Sequence, residues 1–386
     1  MTTAQLRAVR AHPAADLFGL TEALCAVPSV FPEEGALADA IEARLRANAA
    51  ALDTTRVANN IVVRTQFGCA QRLVIGGHID TVPPNNNAMP TRRGDTLHGL
   101  GAADMKGGLA VMLRLAEALS ARQLSSQSSS DSSGDVSSRA ASQAPNFDVT
   151  LFWYEGEEVA EEHNGLRAMF ATVPELVAGD FAILMEPTGG WVEAGCQGTL
   201  HLRATYRGAR AHTARPWMGR NAIHSASEAL AVISAHDPGT SMVDGLSFRE
   251  SVQVVHMSGG VANNVVPDVC ELIVNRRFAP CWSSEQAEAQ LRALLVGADD
   301  IVRINLSPAA APNLMNPLVA QFIGTLDLAV RPKLGWTDVA RFASRGIPAV
   351  NFGPGDPTLA HTAQECVDRQ EIDGCYAALA RFIGIG

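Results

Sequence analysis

The chain has 386 residues, long enough for two or three domains, and its 47% apolar and 18% charged residues exclude a disordered chain. A formal net charge of −10 argues against a nucleic-acid surface, which needs a basic stripe, and no stretch approaches a membrane span. Seven scattered cysteines, an odd number with no Cys-x-x-Cys pair, argue for a reducing compartment, and residues 1–30 lack a signal-peptide core, so a cytoplasmic location is expected.

Residues 14–25 and 35–51 carry alanine and leucine at helical spacing. Short apolar runs at 60–64 and 72–75 predict strands on either side of a turn at Gly68. The second run ends in Gly76-Gly77 and delivers His78 and Asp80, which face one place because they are two apart on an extended chain. An imidazole with a carboxylate nearby suits a metal ligand whose tautomer and orientation are fixed. Asp104 stands at the mouth of a helix predicted over 108–119, where it could ligate one metal or bridge two. Residues 120–142 hold eleven serines in twenty-three positions. Such a tract cannot bury enough apolar surface to order itself, so 120–146 is expected to be a disordered loop.

A strand over 148–154 leads to Glu157-Glu158, another over 181–185 leads to Glu186, and His361 lies in a Gly/Pro-rich loop. Hard carboxylates plus imidazoles describe a two-metal site for zinc, cobalt or manganese better than a cysteine-rich structural zinc. Strands alternating with helices, with candidate ligands at strand ends, predict an α/β domain. It should be a mostly parallel sheet flanked by helices, with its site at the carboxyl edge.

Near Gly198 the texture changes. A half-exposed strand at 199–206 is followed by a helix at 221–234, strands at 251–257 and 269–274, a helix at 284–295 and a strand at 301–306. That order is the split βαβ pattern of a small α+β sandwich. The expected division is an α/β domain of residues 1–197 and 310–386, which carries the candidate metal ligands, with a smaller domain, 198–309, inserted into it. Residues 346–352 predict the strand that leads to His361.

The motifs, in order, are Gly77-His78-Ile79-Asp80-Thr81-Val82-Pro83, residues 99–108 around Asp104-Met105-Lys106, Glu157-Glu158 and Glu186-Pro187-Thr188. They continue with His212 in residues 208–222, Asn264-Val265-Val266-Pro267, Asn275-Arg276-Arg277-Phe278, residues 335–342 and Ala360-His361-Thr362. With them the chain resembles the dinuclear-zinc aminoacylase and dipeptidase-like metallohydrolases over roughly residues 20–380, the serine tract excepted. It departs at Leu100, where that family usually has arginine between the two glycines; no metal ligand is lost there.

The resemblance implies two divalent ions, zinc with cobalt able to substitute. His78 and Glu186 would hold one, Glu158 and His361 the other, with Asp104 bridging. It makes Glu157 the general base and Asp80 the partner of His78, and it places a cis peptide at Asp104-Met105. Arg277 would grip a substrate carboxylate through its fork, while Arg276 points the other way. Asn264 would orient the amide or its oxyanion, and Thr337, with Gly335 as a turn, would hydrogen-bond the substrate. It makes 1–197 and 310–386 the catalytic domain and 198–309 a lid and dimerisation domain, whose His212 would donate to the oxyanion in the partner subunit of a homodimer, with a hinge near Gly198. The implied reaction is hydrolysis of a linear amide in a small-molecule acylated amino acid. No nucleic-acid or membrane partner is expected.

Overall fold

The structure is a computed structural model that describes residues 2–13, 15–130 and 145–385. By backbone contacts it divides into two units. The first is Met1–Glu193, Leu314–Arg331 and Arg341–Gly386; the second is Ala194–Asn313 and Pro332–Ala340. Among the described residues no helix is long and apolar enough to cross a membrane.

The first unit is built on an eight-stranded sheet. Its order is Asp53–Val57, Asn60–Arg64, Asp148–Tyr154, Arg72–His78, Phe181–Leu184, Ala349–Asn351, Val192–Ala194 and Val330–Pro332. The central strands are parallel, Arg72–His78 lying between Asp148–Tyr154 and Phe181–Leu184, and an antiparallel hairpin closes one edge. Every residue of Asp148–Tyr154 is buried, so both faces of that strand are covered. That is why its sequence is a continuous apolar run rather than an alternating one. The register sets His78 opposite Tyr154 and Gly76 opposite Leu184. The segments leading to Glu157-Glu158 and to Glu186 therefore leave the sheet beside His78, along one carboxyl edge.

A first helix, Thr3–Ala11, is fastened by Arg44 of the helix Gly35–Asn48. Arg44 Nη1 donates to the carbonyls of Val9 (2.8 Å) and His12 (3.0 Å), and Nη2 lies 2.8 Å from Glu117 Oε1. Both side chains are buried. Losing one partner strands the other charge, so Arg44→Ala is expected to cost about 3–5 kcal/mol. A urea melt reads this directly, and a loss below about 1 kcal/mol would show that the pair is dispensable.

The expectation of a loop from residue 120 is corrected: the helix that begins at Gly107 runs to Ser130. Gln123 is buried on it, its Nε2 donating to Ala51 O (2.7 Å) and its Oε1 accepting from Gln66 N (3.0 Å). Ser120 Oγ accepts from Ala51 N (3.2 Å). Serine content averaged over the tract hides these anchors at its start. Of the rest of the expected loop, residues 131–144 lie outside the described residues, and Asn146 is fixed, its N donating to Ile383 O (2.7 Å) and its Nδ2 to Phe382 O (2.8 Å).

The second unit carries a four-stranded sheet in the order Ser251–Gly259, Val269–Phe278, Gly198–Arg207 and Asp300–Ser307, all antiparallel. Along Val269–Phe278, buried and half-exposed residues alternate, as one packed face demands. Leu200, Leu202, Leu272, Val274 and Phe278 form that face with Ala229, Ile233, Ala287 and Leu291 of two helices. Arg276 is on it, donating to Ala287 O (2.9 Å), so Arg277 faces the other way. Residues 332–340, expected with the catalytic domain, cluster with this unit instead. Gln197 N donates to Lys333 O (3.3 Å), and Trp336 Nε1 donates to Pro308 O (3.1 Å). These contacts carry Gly335 and Thr337 into the second unit.

Candidate metal centre

Two glycines let the sheet deliver His78. A Cβ at Gly76 would lie 2.0 Å from Phe152 Cζ, and one at Gly77 would lie 2.5 Å from Met105 Cε. His78 is buried, with Nε2 3.1 Å from Asp104 Oδ1 and Nδ1 3.1 Å from the Asp80 carbonyl and 3.5 Å from its Oδ1. Asp80 does more than face this imidazole. Its Oδ1 accepts from Glu157 N (3.0 Å) and its Oδ2 from Glu158 N (2.9 Å), so one carboxylate joins two strand ends. Asp80→Asn, with an amide where an acceptor is needed, is expected to weaken zinc binding about 10–100-fold while the chain stays folded. Competition against a chelator measures it.

Asp104 departs from helical geometry, and the Asp104-Met105 peptide is cis. The backbone N–H groups of Ala103 and Asp104 both donate to Glu365 Oε1 (3.1 Å each). Sequence reading passed over Glu365. The available signal was its position four residues after His361 in the same loop. Burial, with the Asp104 charge adding to it, pushes its carboxyl up to about 7.

Among the described residues, three groups of donor atoms each fall within 4.8 Å of one another: His78, Asp104 and Glu186; Asp104, Glu158 and His361; and His78, Glu157 and Glu158. The first two share Asp104. His361 Nε2 lies 2.7 Å from Glu158 Oε1 and 3.4 Å from Asp104 Oδ2. Burial works against charge on His78, yet hydrogen bonds to Asp104 and Asp80 hold its pKa well above the ordinary value. Hydrogen bonds to Asp104 and Glu158 push His361 up to about 10. Burial opposes ionisation of Asp104, but the two imidazoles hold its carboxyl well below the usual range. Both imidazoles are thus pushed toward their protonated forms by the carboxylates around them. Donors that are all hard oxygen or imidazole nitrogen fit divalent zinc, cobalt or manganese.

Ligation needs neutral imidazole, so zinc uptake at pH 7 is expected to release protons. Apparent affinity should then rise with pH until His361 deprotonates near 10. Titration calorimetry in two buffers of different ionisation enthalpy gives the proton count; identical heats would contradict it.

The other candidates lie in the second unit. Thr213 N donates to Asn264 O (3.0 Å), and His212 is bridged to Val265, so His212 and Asn264 sit side by side. His212 Nδ1 accepts from Ala214 N (3.0 Å), which leaves the proton of the neutral ring on Nε2 of an exposed side chain. Arg277 occupies the open face of the sheet, opposite Thr199 and Ser251 in register. Gly335 is exposed, while Thr337 is buried with its carbonyl accepting from Ala340 N (3.2 Å). At the departure from the family pattern, Leu100 N donates to Asn87 O (2.8 Å).

A parallel sheet with paired carboxylate–imidazole donor sets on its carboxyl edge, joined to a separate α+β unit, defines a class of dinuclear-type hydrolases. Residues 74–129 match the profile of peptidase family M20/M25/M40, and residues 195–299 match a peptidase dimerisation domain. The chain belongs to this M20 family. It is 38% identical over 382 residues to a succinyl-diaminopimelate desuccinylase of Corynebacterium glutamicum, with 96% of this chain and 98% of the relative covered. A Mycobacterium tuberculosis protein provisionally given the same name is 39% identical over 370 residues, with the same coverage. Among solved structures, the aminopeptidase PepT of Bacillus cereus shares the fold at a TM-score of 0.72 and 19% identity, with 97% of this chain and 98% of that one covered. A dinuclear metal-binding peptidase of Bacillus subtilis does so at 0.67 and 14%, with 96% and 98% covered.

Proposed function

We propose that the chain hydrolyses the amide of N-succinyl-LL-2,6-diaminopimelate, giving succinate and LL-2,6-diaminopimelate, a step toward lysine and cell-wall precursors. The observation that carries this is the pair of donor triplets sharing Asp104, in a chain 38% identical to a desuccinylase over nearly its full length.

His78 and Glu186 would hold one ion, Glu158 and His361 the other, with Asp104 between them. When bound, two divalent ions polarise the amide carbonyl and acidify water. Glu157 takes the proton of the attacking water and passes it to the leaving nitrogen, which departs as an amine. Asp80 and Glu365 hold the backbone around these groups. His212 offers its Nε2 proton to the carbonyl oxygen as negative charge develops there. Asn264 orients the amide, Arg277 pairs with a substrate carboxylate, and Gly335 and Thr337 position the rest. The second unit pairs two chains into a homodimer, in keeping with its match to a dimerisation domain.

The test is turnover by the purified, zinc-loaded chain on N-succinyl-LL-2,6-diaminopimelate, N-acetylornithine, other N-acyl amino acids and dipeptides. The succinylated substrate is expected to give the highest kcat/KM. Preference for another member of the panel would reassign the substrate, and full activity in a metal-free preparation would overturn the reading.

A further inference from the structure

The five candidate ligands are not held alike. The side chain of His361 is 50% exposed, against 11% or less for His78, Asp104 and Glu158. It is also the one of the five with a left-handed backbone, at φ +64°. A residue with a Cβ enters that region against its own sterics and stays there only where the surroundings over-determine it. Those surroundings act on the next residue. Thr362 N and Oγ1 both donate to Leu359 O (3.2 and 2.7 Å), closing a turn around His361. The Thr362 carbonyl accepts twice, from Glu365 N (3.3 Å) and from Asn87 Nδ2 (3.1 Å). Among the described residues, Asn87 is the only partner of Thr362 from outside the 359–365 loop.

Asn87 is itself fixed. It is buried, its Oδ1 accepts from Asn85 N (2.9 Å), and its carbonyl accepts from Leu100 N (2.8 Å). A backbone N–H on Oδ1 settles which end of the carboxamide is the donor, so the Nδ2 group faces Thr362. Asn87 thus stands between the two segments that supply a bridging and a terminal ligand. Leu100 precedes Asp104 by four residues, and Thr362 follows His361 directly. His361 Nε2 and Asp104 Oδ2 are 3.4 Å apart. Among the described residues, Asn87 makes no hydrogen bond to the strand ends that carry His78 and Glu186.

We propose that Asn87 is a positioning residue for one of the two metal ions, the one assigned to Glu158 and His361. It holds Thr362, and through Thr362 the left-handed backbone of His361, so that the imidazole meets Glu158 and Asp104. The inference rests on the ligand set above and gives Asn87 no contact with substrate or metal. Without the Nδ2 donor the loop loses its one tie at Thr362 to residues outside it. His361 then relaxes toward an ordinary backbone conformation, and its ring leaves the site.

Asn87→Asp keeps the size of the side chain and the acceptor for Asn85, and it replaces the donor with a second oxygen. It is expected to weaken the ion held by Glu158 and His361 roughly 10–100-fold, the range for groups that orient metal ligands. The other ion should change by less than about 2-fold. Cobalt titration of the metal-free chain reads both steps, by visible absorption and by equilibrium dialysis. Asn87→Ala, which introduces no charge, is the second variant, and a thermal melt of each metal-free chain checks its folding. A double substitution separates positioning from a general structural role. His361→Ala is expected to keep one ion, and adding Asn87→Asp should change its affinity no further, since Asn87 acts only through His361. Unchanged binding in both single variants, equal weakening of both ions, or a further loss in the His361→Ala background would overturn the proposal. Two ions retained by His361→Ala itself would overturn the ligand set, and the proposal with it.

Discussion

Glu157→Ala is expected to keep both metal ions and to lose at least ~10²-fold in kcat, the scale of a removed general base. The geometry makes the two halves of that result separable. The backbone at Glu157 and Glu158 is held from below by Asp80, through hydrogen bonds of 3.0 and 2.9 Å to the two amides. Deleting the Glu157 carboxylate leaves those bonds in place. Glu158 thus stays 2.7 Å from His361. The carboxylate of Glu157 nevertheless falls in a donor group with His78 and Glu158, so metal content must be measured beside the rate. Glu157→Ala should retain two zinc ions per chain after dialysis, and Glu158→Ala should retain fewer. The opposite pattern would exchange the base and the ligand. A rate within a few-fold of wild type would remove Glu157 from proton transfer.

The candidate donors were legible because parallel register does most of the placing. Once Arg72–His78, Asp148–Tyr154 and Phe181–Leu184 are recognised as buried runs, their ends meet at one edge. Asp80 was legible only in part: its spacing from His78 says nothing of the two amides it holds about eighty residues away. Glu365 shows the same gap, since an acid in a loop reads as solvated until its carboxylate is seen on the amides of Ala103 and Asp104. The helix Thr3–Ala11 carries a capping box of Thr2 and Gln5 but buries only Val9, too faint an apolar stripe to announce it. Residues 332–340 carry no periodicity, and their place in the second unit is set by contacts to the chain at 197 and 308.

His212→Ala is expected to lower kcat by about 10²–10³-fold with both ions retained, the loss typical of one oxyanion donor. The ring is prepared for donation, because the Ala214 amide occupies Nδ1 (3.0 Å) and leaves the Nε2 proton outward. Its loop is fixed to the rest of the second unit. Val266 N donates to Ala211 O (2.9 Å), and Thr213 N donates to Asn264 O (3.0 Å). All the candidate metal donors, by contrast, belong to the first unit. If the second units pair two chains and His212 serves the site of the partner subunit, two inactive variants should complement one another. A His212→Ala chain keeps Glu157, and a Glu157→Ala chain keeps His212. A mixed dimer therefore holds one site with both groups and one with neither. After full exchange of equal amounts, roughly a quarter of wild-type activity should return, since half the dimers are mixed and each has one working site of two. Mass-tagged chains verify the exchange. Mixed dimers that form and stay inactive would confine His212 to its own chain, because a donor acting within one subunit leaves every site in the mixture short of one group.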